Sequence, residues 1–337
     1  MSRFRLALIT FGIALSAVAV YLLVRSINVG EAMRAMSHAS LAWFLAALLV
    51  SLLSYYVRTV RWREILLPQA KPPLGRLFRV TMIGFLAINT LPARLGEVVR
   101  AYVLARQERL STATVFGSVV VERIMDLVLL GIFWALSLLF APFPDWFRWS
   151  GFLTIGIGVA AGLVLWGLHA SRSHHSKWGR IGFLARMPDP MRAGAARLNA
   201  AFVAGIQVFG RPALLGRVTL WSAAAWLVSG AVFPLVGESL GMHLPLWSIF
   251  LLSFIVCVGI MVPSSPGFIG VLEGACVVGL ALMGRKGPEA LAFGILYHLT
   301  QIVPLLILGS YFVIRDHLTG DLLREVRAAE EPVGRKE

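Results

Sequence analysis

The sequence predicts an all-α polytopic membrane protein. Apolar residues make up 58% of the 337 positions and charged residues 14%, and the mean hydropathy is +0.79. Several runs of about 18 or more residues carry almost no charge, which is the length a helix needs to cross a hydrocarbon core about 30 Å thick. We therefore expect a single membrane domain over residues 1–337.

Six apolar runs are long enough to be full transmembrane helices. The first has a cleaved signal peptide as its alternative, because Ala17-Val18-Ala19 resembles a cleavage site. The apolar run continues to Val24, which favours a retained span. The six predicted spans are residues 6–24, 41–57, 113–140, 150–169, 214–236 and 290–314.

Two further apolar segments are interrupted and predict re-entrant or broken helical hairpins. Residues 77–91 are short for a span and have arginines on both sides. Residues 248–284 form two apolar arms joined by a Pro/Ser/Gly break. Irregular backbone is tolerated at membrane depth only where protein or a wet cavity satisfies its polar groups. Each break combines Pro, small residues and Gly with a Glu that opens the next helix.

The order of these elements favours an inverted repeat. The first half, residues 1–140, and the second half, residues 150–314, each contain three full crossings and one broken segment. Three crossings per half place the second half upside down relative to the first. Broken helices that meet near the membrane midplane are typical of transporters.

The basic residues predict the orientation of the chain. Most of the 31 Lys and Arg residues fall on one side of the predicted spans, which the positive-inside rule assigns to the cytoplasm. We therefore expect a bacterial plasma membrane protein with both termini and the 58–76 loop inside, together with a tail over residues 315–337. Residues 171–212 predict an amphipathic helix at the inner headgroups, with a cytosolic linker helix as the alternative. The net charge of +14 then reflects topology and anionic headgroups rather than nucleic acid.

Three motifs give the chain a recognisable resemblance. They are "RLGEVVR" at residues 94–100, "ERIMD" at 122–126 and "PSSPGFIGVLE" at 263–273. With them, the chain resembles the flippase-like membrane family related to the transmembrane portion of lysylphosphatidylglycerol synthases. The resemblance runs from about residue 40 to 314 and implies two re-entrant hairpins and a role in moving lipids between leaflets.

The chain also departs from that family in two respects. Only a short charged tail follows residue 314, so we expect no aminoacyl-transferase domain and not the bifunctional synthase itself. His298 stands where the family more often places an arginine. The resemblance therefore does not imply that this chain binds the same lipid headgroup.

The first motif supplies candidates for binding a lipid phosphate. Arg94 and Arg100 flank a helix start, where backbone N–H groups favour anions, and arginine binds phosphate bidentately. Glu97 lies three residues from each and is placed to orient them. The alternative is that the arginines are anchors that reach the headgroups.

The second motif puts charges inside a predicted span. Glu122 and Asp126 share one helical face, and Arg123, the one basic residue assigned to a span, is three residues from Asp126. Charges within a membrane normally face a cavity or a partner. Coupling to cargo or protons and a structural ion-pair latch are both open.

The third motif and the last span supply the remaining candidates. Ser264, Ser265 and the backbone loosened at Gly267 either contact a headgroup or form a simple hairpin turn. Glu273 is expected to pair with Arg123 or His298. The last span carries a polar stripe of Tyr297, His298 and Gln301.

These observations favour a lipid flippase that moves a phospholipid or polyprenyl-type lipid with an anionic headgroup. The alternatives are a membrane-embedded transferase using Glu97, Asp126 or Glu273 as general base, and a non-catalytic scaffold of a lipid-synthesis complex. Nucleotide and protease motifs do not occur, so we expect no enzymatic activity, no cofactor and no metal. Homo-oligomers or lipid-biosynthesis enzymes are the expected protein partners.

Overall fold

The computed structural model describes residues 14, 16–25, 27–91, 95–170, 203–261 and 264–316, and this part of the chain is helical without a strand. About half of the predicted span 6–24, most of residues 171–212 and nearly all of the tail fall outside these residues. The helices, numbered in chain order, are α1 (Ser16–Arg25), α2 (Val29–Ser37), α3 (Leu41–Leu66), α4 (Leu74–Thr90), α5 (Gly96–Glu108), α6 (Thr112–Ser137), α7 (Asp145–Ala170), α8 (Pro212–Gly230), α9 (Val232–Ser239), α10 (Ser248–Met261), α11 (Val271–Leu282), α12 (Pro288–Pro304) and α13 (Ser310–Arg315).

Four helical stretches are long and apolar enough to cross a membrane. They coincide with four of the six predicted spans, which confirms a multi-pass helical architecture but not the number six. The continuous pairs α8–α9 and α12–α13 each count as one stretch. The four are Leu41–Leu66, Asp145–Val164, Pro212–Ser239 and Pro288–Arg315.

Helix α6 covers another predicted span but carries too much charge to qualify by composition. Every 18-residue stretch of α6 contains Glu122, Arg123 and Asp126. Whether α6 can lie within the membrane therefore depends on the partners of these three charges, because its hydropathy alone does not predict a span.

The second predicted broken segment, 248–284, is a pair of helices shorter than a full span. The first, 77–91, is a single helix, α4, and the arm that follows its break is α5, beyond the predicted bounds. Together α4 and α5 form the first broken segment. Helix α4 packs on α5, and α10 packs on α11. Between α10 and α11 the chain turns at Gly267, whose φ of +76° suits glycine because it has no Cβ. A Cβ built there would lie 3.9 Å from the carbonyl oxygen of Asn89 at the end of α4, so the two segments approach each other.

The second broken segment also contacts α1. The Ser265 N–H donates a hydrogen bond of 2.9 Å to Ser16 Oγ, and Gly270 leaves room for Val20. Helix α1 therefore packs against the break itself.

The helix that contains the second predicted span is longer than that span. The sequence places the end of the span at residue 57, with Arg58 and Arg61 in a cytoplasmic loop, whereas α3 continues to Leu66. Arg61 is fully buried within this helix. Arg61 can be buried here because carboxylates on α6 pair with its guanidinium inside the bundle. These ion pairs replace the hydration that the side chain loses.

Candidate functional site

Arg61 connects α3 to α6 through a buried ion pair with two carboxylates. Its Nη2 lies 2.7 Å from Glu122 Oε1, and its Nη1 lies 2.5 Å from Asp126 Oδ1. Glu122 and Asp126 are one helical turn apart and so present both carboxylates to the same neighbour. A single guanidinium thereby holds α3 against the middle of α6.

Arg100 brings α5 into the same network. Its Nη2 lies 2.8 Å from Glu122 Oε2, and its Cζ lies 4.2 Å from the centre of the Trp62 ring. The Trp62 indole in turn donates a hydrogen bond of 3.0 Å to Ser118 Oγ. Arg100 is thus buried between an anion and an aromatic face, the setting in which a cation–π contact is strongest.

Arg123 completes the network on its more open side. Its guanidinium lies 3.2 Å from Glu97, and 3.3 Å from both Glu122 and Asp126. A third of its side chain is exposed, whereas the Glu122 side chain is fully buried. The described network therefore matches three arginines with three carboxylates, and Arg123 forms its boundary with a cavity.

This cavity has a volume of about 210 Å³, is partly open, and lies between the two broken segments. All four arms of those segments contribute to its wall, as do α3, α6, α8, α9 and α12. Its polar lining consists of Tyr55, Arg58, Asn89, Glu97, Arg123, Asp126, Ser229, Ser253, Tyr297 and Gln301. Its more apolar lining consists of Phe85, Ile88, Trp226, Phe233, Val256, Cys257, Ile260, Phe268, Leu272 and Leu305.

Arg58 lines the cavity one turn before Arg61 on α3. Its Nη2 donates a hydrogen bond of 3.0 Å to Ser229 Oγ, and its Cζ lies 5.4 Å from the centre of the Trp226 ring. Trp226 is itself fixed, because its indole N–H donates to Asp126 Oδ1 at 2.9 Å. Neutral groups therefore hold the Arg58 guanidinium in place at the cavity wall.

A separate polar pair supports the second broken segment. Glu273 accepts a hydrogen bond of 2.7 Å from the Gly270 N–H, which caps α11, and its other oxygen lies 2.6 Å from His298 Nδ1. Of the two partners expected for Glu273, the described contacts show His298. His298 Nε2 is buried and has no hydrogen-bond partner among the described residues.

The structure sorts the predicted site residues into three groups. Those that line the cavity are Glu97, Arg123, Asp126, Tyr297 and Gln301. Arg100 and Glu122 are buried in the ion network behind it, and Ser264, Ser265, Gly267, Glu273 and His298 belong to the second break or its support. Arg94 lies outside the described residues. Among the residues that are described, no three His, Cys, Asp or Glu side chains are grouped to hold a metal.

Sequence reasoning missed Arg58, Arg61 and Asn89. A signal for the two arginines was present, because polar residues recur at helical spacing along α3 before either of them. Extending that stripe past residue 57 would have placed both on the same inward face of α3, where Arg61 meets α6 and Arg58 meets α8. The stripe consists of Ser51, Ser54, Tyr55, Arg58, Arg61 and Trp62.

The fold and the site define a multi-pass helical membrane protein with a charged internal cavity. The chain matches the model of the lysylphosphatidylglycerol synthase TM region over residues 9–309, and it belongs to this family. This confirms the family resemblance inferred from the three motifs.

A curated relative extends the comparison. The chain is 28% identical over 344 aligned positions to the glycosyltransferase AglD of Haloferax volcanii. The match covers 92% of this chain but only 55% of AglD, so the chain spans about half the length of that protein. The expectation that the chain is not an enzyme is contradicted by this relative, whose name is that of an enzyme.

Proposed function

We propose that the chain moves a phospholipid or polyprenyl-type lipid with an anionic headgroup between the leaflets of a bacterial plasma membrane. The observation that carries this proposal is the cavity between the two broken segments, where guanidinium, amide and hydroxyl groups face an apolar wall. In this proposal six helices span the membrane and the broken segments are re-entrant.

A headgroup that moves between leaflets exchanges water for groups of the protein. A lipid headgroup that crosses the hydrocarbon loses its hydrating water and must find fixed donors in return. Arg58 and Arg123 supply charged donors, and Asn89 and Gln301 line the same wall with amides. The polar lining would take the headgroup while the acyl or polyprenyl chain stays in contact with lipid.

Lipid redistribution by purified protein in liposomes tests this function. We expect the wild type to move a fluorescent phospholipid between leaflets, and Arg123→Gln to slow it about tenfold or more, since a charge-assisted hydrogen bond contributes about 1.5–3 kcal/mol. Arg217→Gln is the matched control, because Arg217 pairs with Glu64 at a more exposed site away from the cavity lining. A wild type that moves no lipid would reject this function, and a folded Arg123→Gln protein that moves lipid at the wild-type rate would remove Arg123 from the transport path.

A second candidate is transfer of a glycosyl group to or from a lipid, which the name of the Haloferax volcanii relative favours. Glu97 is the carboxylate best placed as a general base, because it lines the cavity and its described ion pair is to Arg123 alone. The liposome assay separates the two candidates, since a transferase given a sugar donor makes a new lipid species. A scaffold would neither make a species nor move one.

We expect residues 171–212 to be cytoplasmic, on the basis of their basic composition. In a background with Cys257 and Cys276 replaced, Ser173→Cys should react with an impermeant thiol reagent only after the membrane is opened. Lys286→Cys, between α11 and α12, should react from outside in intact cells. Labelling of Ser173→Cys from outside would overturn both the orientation and the inverted repeat.

A further inference from the structure

We infer that Arg58 is the anion-binding side chain of the cavity and that it is matched to a single negative charge, as carried by a phosphodiester. This inference rests on the proposed function, which places a lipid headgroup in the cavity. It deepens that function by assigning the contact to a residue outside all three family motifs quoted above.

The charges of the network single out Arg58. Glu97, Glu122 and Asp126 lie within 3.3 Å of arginines that reach them from α3, α5 or α6. Among the residues that the structure describes, no carboxylate lies within 4.0 Å of the Arg58 guanidinium. The described cluster thus has four arginines and three carboxylates, and the extra cation lies on the cavity wall.

The surroundings of Arg58 keep it in position without neutralising it. A guanidinium has five N–H donors, and the described contacts engage it with one hydroxyl, Ser229 Oγ, and the face of Trp226. Both partners are neutral. A half-buried cation whose direct contacts are all neutral is unfavourable within a membrane, so an anion that enters the cavity and contacts it is stabilised. The remaining donors form the planar fork that binds two phosphate oxygens.

The excess of one positive charge selects the class of ligand. A phosphodiester carries one negative charge and would balance the cluster. A phosphomonoester carries about 1.5 to 2 negative charges near neutral pH. The negative charge in excess of one would be repelled by Glu97 and Asp126, which line the same cavity. Glycerophospholipids and polyprenyl phosphate sugars both contain a phosphodiester, so either could supply the group that Arg58 binds, and binding experiments distinguish the two sources.

Binding to the full chain in detergent tests the inference. The probes are dihexanoyl phosphatidylglycerol as phosphodiester, dihexanoyl phosphatidic acid as monoester and dihexanoylglycerol as the neutral lipid. Farnesyl phosphate mannose and farnesyl phosphate repeat the comparison for a polyprenyl source. We expect one of the two phosphodiesters to bind more tightly than its monoester counterpart, and the neutral lipid to bind weakly.

Substitutions at Arg58 give the decisive result. Arg58→Gln should weaken phosphodiester binding about tenfold or more, as expected for a lost charge-assisted contact, and Arg58→Lys should lie in between because it keeps the charge without the fork. Arg217→Gln should bind as the wild type does. Should Arg58→Gln fail to fold, the comparison of Arg58→Lys with the wild type decides, and equal affinities would overturn the inference.

The outcomes separate this inference from the proposed function. A folded Arg58→Gln protein with wild-type affinity, or a wild type that prefers the monoester, would overturn the role of Arg58 while leaving lipid movement intact. Loss of binding in Arg58→Gln, combined with no lipid redistribution by the wild type in liposomes, would support Arg58 as the anchor and reject the flippase. That result would favour the transferase.

Discussion

Replacing Arg61 by methionine should lower the free energy of unfolding by about 3 to 5 kcal/mol, the range found when one partner of a buried ion pair is removed. Arg61 is fully buried and is the cation that joins Glu122 and Asp126 to α3. Methionine retains an apolar stem of similar length, so the loss reports the charge rather than a large void. Thermal unfolding of the purified protein in detergent measures it.

A surface arginine provides the matched control for this substitution. Arg76 pairs with Glu108 at 2.7 Å but has 39% of its side chain exposed, so Arg76→Met should cost no more than about 1 kcal/mol. Combining Arg61→Met with Asp126→Asn should restore part of the stability, because one charge of each sign is then removed. Equal losses for Arg61→Met and Arg76→Met would contradict the assignment of Arg61 as a buried latch.

Gly96→Ala should be the most disruptive of the small substitutions at the first broken segment. A Cβ at Gly96 would collide with the backbone nitrogen of Ile88 and the carbonyl oxygen of Gly84, both in α4. Backbone cannot move aside as a flexible side chain can, so α5 must shift away from α4. We expect a loss near or above the upper end of the usual cost of overpacking, about 3 kcal/mol.

The same substitution should also slow lipid movement. Glu97 follows Gly96 directly and carries the contact between α5 and Arg123 at the cavity. Gly75→Ala is the control within α4, because a Cβ there has open space around it, and it should leave the melting temperature and transport unchanged. If Gly96→Ala melts and transports as Gly75→Ala does, the close packing of α4 on α5 is not needed for either property.

The sequence alone determined that this is a helical membrane protein and where its helices break. Hydropathy is a local property of the chain that does not depend on tertiary contacts. For this reason four predicted spans coincide with the four long apolar stretches of the structure. The break at Gly267 follows from a glycine that permits a positive φ, and the end of α4 at Thr90 falls in a stretch whose Pro and Gly predicted a break. The cluster on α6 was also visible, because helical spacing places Glu122 and Asp126 on one face.

Only the tertiary structure decided which arginines meet these carboxylates and where the cavity lies. Arg58 and Arg61 belong to a run of basic residues that sequence patterns assign to a cytoplasmic loop, and their partners come from α6 and α8, more than 60 positions away. A buried arginine and an exposed one look the same in sequence. The free energy of burying the guanidinium depends on whether an anion lies within a few ångströms of it, which the sequence does not give. That distance is set by the packing of α3 against α6 and α8, which no local pattern specifies.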